Sequence, residues 1–187
     1  MIMIPREKLK ADKIYTLFFT RRTDALPINE VIASLGSHDA KRVFRLLSEL
    51  AKKNIIGLDM NHNIYIRNHF VLLQKVLGLR YEASATFLFV AIKCHNTMIN
   101  RYLKARLEGK EIDNVTINVD TVWSLAMDLY NKHYNKQTKR NAIVTLIKRG
   151  YLINCTYSTY KSYALNLDMI MKDNILDYIK SVNGNHA

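Results

Sequence analysis

Glycine and proline are scarce in this chain, numbering six and two among 187 residues. So few backbone breakers disfavour an all-β sandwich or barrel and favour helices. Cys94 and Cys155 are too few for a disulfide framework or a zinc site. No apolar run approaches the roughly 18 to 20 residues of a membrane span. The best one, Ala85 to Ile92, gives way to Lys93. At the N-terminus, charge follows a short apolar stretch in Met1 to Arg6, the wrong order for a secretory signal. A reducing, cytoplasmic location without membrane attachment is the expectation, nucleoid-associated, or in a host cytoplasm if the chain is viral.

Acidic residues are also few: 16 against 28 Lys plus Arg, for a formal charge of +12. A surplus of this size favours polyanions, and its distribution sharpens the point. Leu129 to Leu167 contains no acid but holds Lys132, Lys136, Lys139, Arg140, Lys148, Arg149 and Lys161. Ala83 to Leu107 is likewise acid-free and holds Lys93, Arg101, Lys104 and Arg106. Clustering of one sign is an electrostatic footprint for nucleic acid. The apolar fraction of 49% is ample for a folded core.

Leu9, Ile14, Leu17 and Phe18 space a first helix over Pro5 to Thr20, with Pro5 in its first turn. Leu26-Pro27-Ile28 is short and extended. Asn29 can cap a brief helix ended by Gly36, and Ser37 can cap the next, to about Lys53, with Val43, Leu46, Leu47 and Leu50 inward. Asn54 to Leu58 and Ile64 to Ile66 read as a hairpin with a polar tip.

The pattern recurs. Ala142 to Leu152 matches Leu46 to Ile56 at an offset of 96, setting Leu146 on Leu50, Lys148-Arg149 on Lys52-Lys53 and Gly150 on Asn54. Gly and Asn are the residues that most readily take the left-handed conformation closing a helix. Around this second copy lie a long helical stretch over Glu82 to Leu107, a short strand at Val115 to Ile117, and a helix capped by Asp120 with Val122, Trp123, Ala126, Leu129 and Tyr130 inward. A turn over Asn131 to Asn135, a helix from Lys136 to Arg149, and a hairpin tipped by Thr156 to Ser162 follow. The tail from Asp168 to Val182 is spaced as one helix.

This order resembles the winged helix-turn-helix superfamily, twice over. The resemblance implies a mainly α (α+β) chain of two tandem winged helix-turn-helix units, each three helices plus a small β-hairpin wing. The expected divisions are an N-terminal domain over 1–69, a linking helix over 70–81, a C-terminal domain over 82–168, and a C-terminal helix and tail over 169–187. In winged-helix proteins the third helix commonly enters the major groove and the wing touches backbone. The resemblance carries that role onto Ser37, His38, Lys41, Arg42 and Arg45 in the first copy. In the second it falls on Lys136, Gln137, Thr138, Lys139, Arg140 and Asn141, with Tyr157, Thr159 and Lys161 on the wing. Gln and Asn suit adenine, Arg suits guanine, and Lys and Thr hold phosphates. Neutralising about six to eight phosphates corresponds to a slope of log affinity on log salt near −5 to −7.

No phosphate-binding glycine loop, nucleophile elbow or carboxylate cluster is present in the sequence. Cys94 and His95 are adjacent, so their side chains diverge by about 100° on a helix and cannot readily share a metal. A buried Cys94 beside a partly exposed His95 is expected. The expectation is therefore a non-enzymatic double-stranded DNA-binding protein, with no cofactor, metal or small-molecule ligand. Transcriptional regulation is the first role. A replication-initiation or partition protein of a plasmid or virus, and a tandem winged-helix protein-interaction scaffold, are the alternatives. The apolar run Phe87 to Ile92 is buried on all sides, either between the two copies or in a homodimer interface, and a homodimer is expected.

Overall fold

The computed structural model describes residues 6–35, 40–155 and 162–182, the side chains of 6–10 and 40 excepted. They group into two compact units, 6–78 with 180–182, and 79–179. Pro5, Gly36, Ser37, His38 and the second hairpin's tip at 156–161 lie outside the described residues.

In the first unit, α1 (Arg6–Arg21), β1 (Ala25–Pro27), α2 (Ile28–Ser34), α3 (Ala40–Lys52), β2 (Ile56–Leu58), β3 (Asn63–Ile66) and α4 (His69–Val76) follow in order. Ile14, Tyr15 and Phe18 are the buried stripe of α1, and Val43, Leu46, Leu47 and Leu50 that of α3. Leu17, expected inward, is half-buried. Pro27 ends β1 and stands at the N-cap of α2, so Ile28 is helical and Asn29 is not the cap. A proline is tolerated there because β1 is an edge strand. The sheet is antiparallel with β3 central, in the order β1-β3-β2. Asn68 begins α4 by accepting from the amides of Phe70 and Val71, and α4 packs on α1.

The second unit holds α5 (Glu82–Cys94), α6 (Asn96–Leu107), β4 (Thr116–Ile117), α7 (Val119–Tyr130), α8 (Lys136–Lys148), β5 (Leu152–Asn154), β6 (Tyr163–Leu165), α9 (Leu167–Lys172) and most of α10 (Ile175–Ser181). Its sheet has the same plan, β4-β6-β5 with the later hairpin strand central. The chain is thus mainly helical, with two small three-stranded antiparallel sheets. Among the described residues no helix is long and apolar enough to cross a membrane.

Several sequence expectations are corrected here. The stretch over Glu82 to Leu107 is two helices, broken at His95 (φ −103°, ψ 14°), whose ring Nδ1 lies 3.0 Å from the Ala91 carbonyl. Cys94 is exposed rather than buried. The tail is also two helices, because Asn174 takes φ +56°. Asn118, not Asp120, caps α7, its side chain accepting from the Thr121 amide at 3.0 Å. Leu129, expected inward, is 65% exposed. The side chains of α5 from Ala83 to Ile92 are buried within the single chain, with α7 and α8 packed on the helix, so their burial requires no second subunit.

The repeated helix ending holds in detail. Asn54 has φ +55° and Gly150 φ +79°. At each, two amides turn back: Asn54 to the Ala51 carbonyl at 2.9 Å and Ile55 to Leu50 at 3.0 Å, then Gly150 to Ile147 and Tyr151 to Leu146, both at 3.0 Å. This pair of hydrogen bonds satisfies carbonyls that the helix end orphans and aims the chain into the sheet. At the tip of the first hairpin, Asp59 does similar work. Its Oδ1 accepts from the amides of Asn61 and Asn63, both at 2.8 Å, and its Oδ2 from the Asn63 side chain at 3.0 Å. These donors, the Asn63 amide foremost, hold the carboxyl below its ordinary pKa.

Gly150→Ala should cost about 1 kcal/mol of stability in a denaturant titration. A Cβ there meets only Met169, at an ordinary 3.8 Å, so the loss is one of backbone conformation. Because folding lowers the pKa of Asp59, the unfolded chain holds its proton more tightly. The stabilisation from Asp59 is complete above about pH 4 and is lost as pH falls through the lower folded value. Amide exchange at Asn61 and Asn63 should stay slow on acidification until that lower value is passed.

Candidate nucleic-acid interface

Helix α8 is positioned from beneath. Ala142, Ile143 and Leu146 are its buried side chains, and α5 and β5 pack against it. The Ser84 hydroxyl donates to the Ala142 carbonyl at 3.4 Å. The preceding turn is fastened to the same scaffold. Trp123 lies between Phe87 and Tyr134, with ring centroids 5.0 and 5.1 Å apart. The Tyr134 hydroxyl donates to Thr86 Oγ1 at 3.2 Å, and Lys132 pairs with Glu82. Asn131 closes α7 in the left-handed conformation (φ 46°), and Asn135 opens α8 by accepting from the Thr138 amide at 2.8 Å.

With the inward stripe so placed, a turn of about 100° per residue decides which side chains face out. Lys136, Gln137, Arg140, Val144 and Lys148 are exposed, and Asn141 half-exposed. Thr138 is half-buried. Lys139 is half-buried too, in line with Ala142, Ile143 and Leu146, and it occupies the position at which the first copy has the fully buried Val43. Of the six sequence-derived positions, four therefore share the outward face: Lys136, Gln137, Arg140 and Asn141. Gln137 Nε2 donates to Asn141 Oδ1 at 2.9 Å, which leaves the Asn141 Nδ2 hydrogens outermost.

In the first copy, Lys41 and Arg45 are exposed and Arg42 is half-exposed. Arg45 is paired with Glu49 at 3.5 Å one turn on. Phe44, equivalent to Arg140, is 50% exposed. The two outward faces thus differ in chemistry. Ser37, His38, Tyr157, Thr159 and Lys161 lie outside the described residues.

No protein-family model matches the chain, and no curated protein or solved structure matches it either.

The acid-free stretches of sequence are not acid-free in space. Glu82 reaches Lys132, Asp168 reaches Arg106, and Asp173 accepts from the Tyr151 hydroxyl at 2.7 Å. Burial, with Asp173 adding to it, pushes the Tyr151 phenol well above its ordinary pKa. Tyr134 and Tyr151 are therefore packing residues. Helix α8 itself carries no acidic side chain.

The spatial setting of two features is not legible in the sequence. At the base of the first hairpin, Arg67 donates to the Tyr65 hydroxyl at 3.1 and 2.9 Å and to Asn54 Oδ1 at 3.0 Å, with its guanidinium 5.5 Å from the Tyr65 ring centroid. Gly57 makes room for this pair, since a Cβ there meets Tyr65 Cζ at 2.3 Å. Beside α8, Arg80 and Tyr81 join Lys148 and Arg149 in one concavity. Arg80 is far from α8 in sequence, and only the docking of α5 on α8 brings it there. Among the described residues no three His, Cys, Asp or Glu side chains gather as a metal-ligand set.

Asn135→Ala removes the cap of α8 and should cost about 1 kcal/mol. Amide exchange of Thr138 should speed up, while that of Leu146 in the helix centre follows global stability only.

Proposed function

We propose that each unit is a winged helix and that the chain is a non-enzymatic double-stranded DNA-binding protein, acting as a transcriptional regulator through α8. The observation that carries this reading is the outward face of α8. Lys136, Gln137, Arg140 and Asn141 stand together on it, no acid shares the helix, and the opposite stripe is buried. Arg and Asn read base edges in a major groove, and Lys neutralises phosphates. The repeated strand order and the repeated left-handed helix closure support the tandem winged-helix assignment.

A second role belongs to the first copy. Phe44 stands where Arg140 stands in the second copy, and Arg45 is engaged by Glu49. An exposed aromatic beside a neutralised arginine suits a protein contact better than a phosphate. The two copies then divide the work, α8 on DNA and α3 on a protein partner.

The test is fluorescence anisotropy with a random-sequence duplex at low salt. Wild type should bind with a slope on log salt near −5 to −7, and Arg140→Glu should weaken binding about tenfold or more. Arg140 is exposed, so the thermal melt should not change. If Arg140→Glu melts and binds like wild type, α8 is not the DNA-binding helix.

A further inference from the structure

The C-terminal half of α8 opens into a concavity of about 340 Å³ that none of the six helix positions above accounts for, Asn141 at its edge excepted. Arg80 and Tyr81, just before α5, form one side of it, and Asn141, Thr145, Lys148 and Arg149 the other. Three of these six are cations. Val144 completes the described lining, which carries no carboxylate. Arg80 lies with its guanidinium 5.1 Å from the Tyr81 ring centroid, a stacking that narrows its sweep. Because Asn141 Oδ1 already accepts from Gln137, its Nδ2 is the end left to donate. The Thr145 hydroxyl is turned onto the Asn141 carbonyl at 2.8 Å.

A phosphodiester offers only acceptors and one negative charge, and it is flanked by sugar. Cationic donors, one amide donor and an apolar surface from Val144 and Tyr81 match that chemistry. The distance along the helix fits as well. Lys148 lies eight residues from Arg140, about 12 Å at the helical rise. The major groove of B-DNA is roughly 12 Å wide. The groove is also about 8.5 Å deep, so a helix that enters tip-first and sets Arg140 on base edges carries Lys148 out to the level of the backbone phosphates.

We infer that this concavity seats a backbone phosphate of duplex DNA, with Arg80, Lys148 and Arg149 as its clamp. The inference rests on the DNA-binding role of α8 and extends the footprint to a residue outside the helix.

The test titrates the full chain against a random-sequence duplex over a range of salt. Arg80→Ala, Lys148→Ala and Val144→Glu are compared with wild type and with Arg140→Glu; all four positions are exposed, and melts verify folding. Arg80→Ala and Lys148→Ala should each reduce the salt slope by about one, and Val144→Glu should weaken binding about tenfold or more. Unchanged slopes in Arg80→Ala and Lys148→Ala, with binding lost in Arg140→Glu, would overturn the clamp and leave α8 as the reading helix. A wild type that does not bind duplex overturns both. A parallel titration uses dAMP. Binding of dAMP that Arg80→Ala abolishes, with duplex slopes unchanged, would make the concavity a free-nucleotide site and overturn its place in the footprint.

Discussion

The docking of α8 on α5 is the constraint on which the second unit depends. Four side chains set it: Trp123, held between Phe87 and Tyr134, and Thr86, which accepts from the Tyr134 hydroxyl. Burying an indole and a phenol against an apolar helix stabilises by several kcal/mol, of the order of about 1.5 to 3 per large side chain. That is enough to hold a five-residue turn in one conformation. The turn in turn sets where α8 starts and the angle at which its first residue leaves the protein. Had the helix started one residue later, a rotation of about 100° would have carried Arg140 into the half-buried place in line with Ala142, Ile143 and Leu146 that Lys139 now holds.

Charge is organised by the same docking. Two cations of the basic stretches are paired with carboxylates from outside those stretches. Lys132 and Arg106 are drawn to Glu82 and Asp168, which lie far from them in sequence. Other cations gather on α8 and at the concavity by its C-terminal end, where Arg80 joins Lys148 and Arg149. Such focusing is stronger than a uniform surplus, because like charges in one concave lining add where an anion sits.

The two copies share a scaffold and differ in surface. Asn54 and Gly150 close equivalent helices by the same pair of backbone bonds, and both sheets put the last hairpin strand in the centre. These are backbone devices, indifferent to what the outward face carries. Phe44 and Arg140 hold equivalent outward positions and have opposite chemistry. A frame built from backbone bonds leaves the outward face free to carry either an aromatic or a cation without loss of fold.

Local signals made much of this legible in the chain itself. The apolar stripe of α3, the two left-handed helix closures and both hairpins follow from spacing and from the conformational tolerance of Asn and Gly. Breaks that depend on one backbone dihedral, at His95 and Asn174, were not legible, since the apolar pattern runs through both. Nor was the half-burial of Lys139, because a lysine in a basic run looks exposed until a neighbouring helix covers its side. The amino-acid sequence alone determined the repeat, the helical class and the excess of positive charge, because these are properties of neighbours along the chain. Only the tertiary structure decided which cations face solvent, which are paired, and that Arg80 stands beside Lys148, because distance through space is set by helix docking and not by order in the chain.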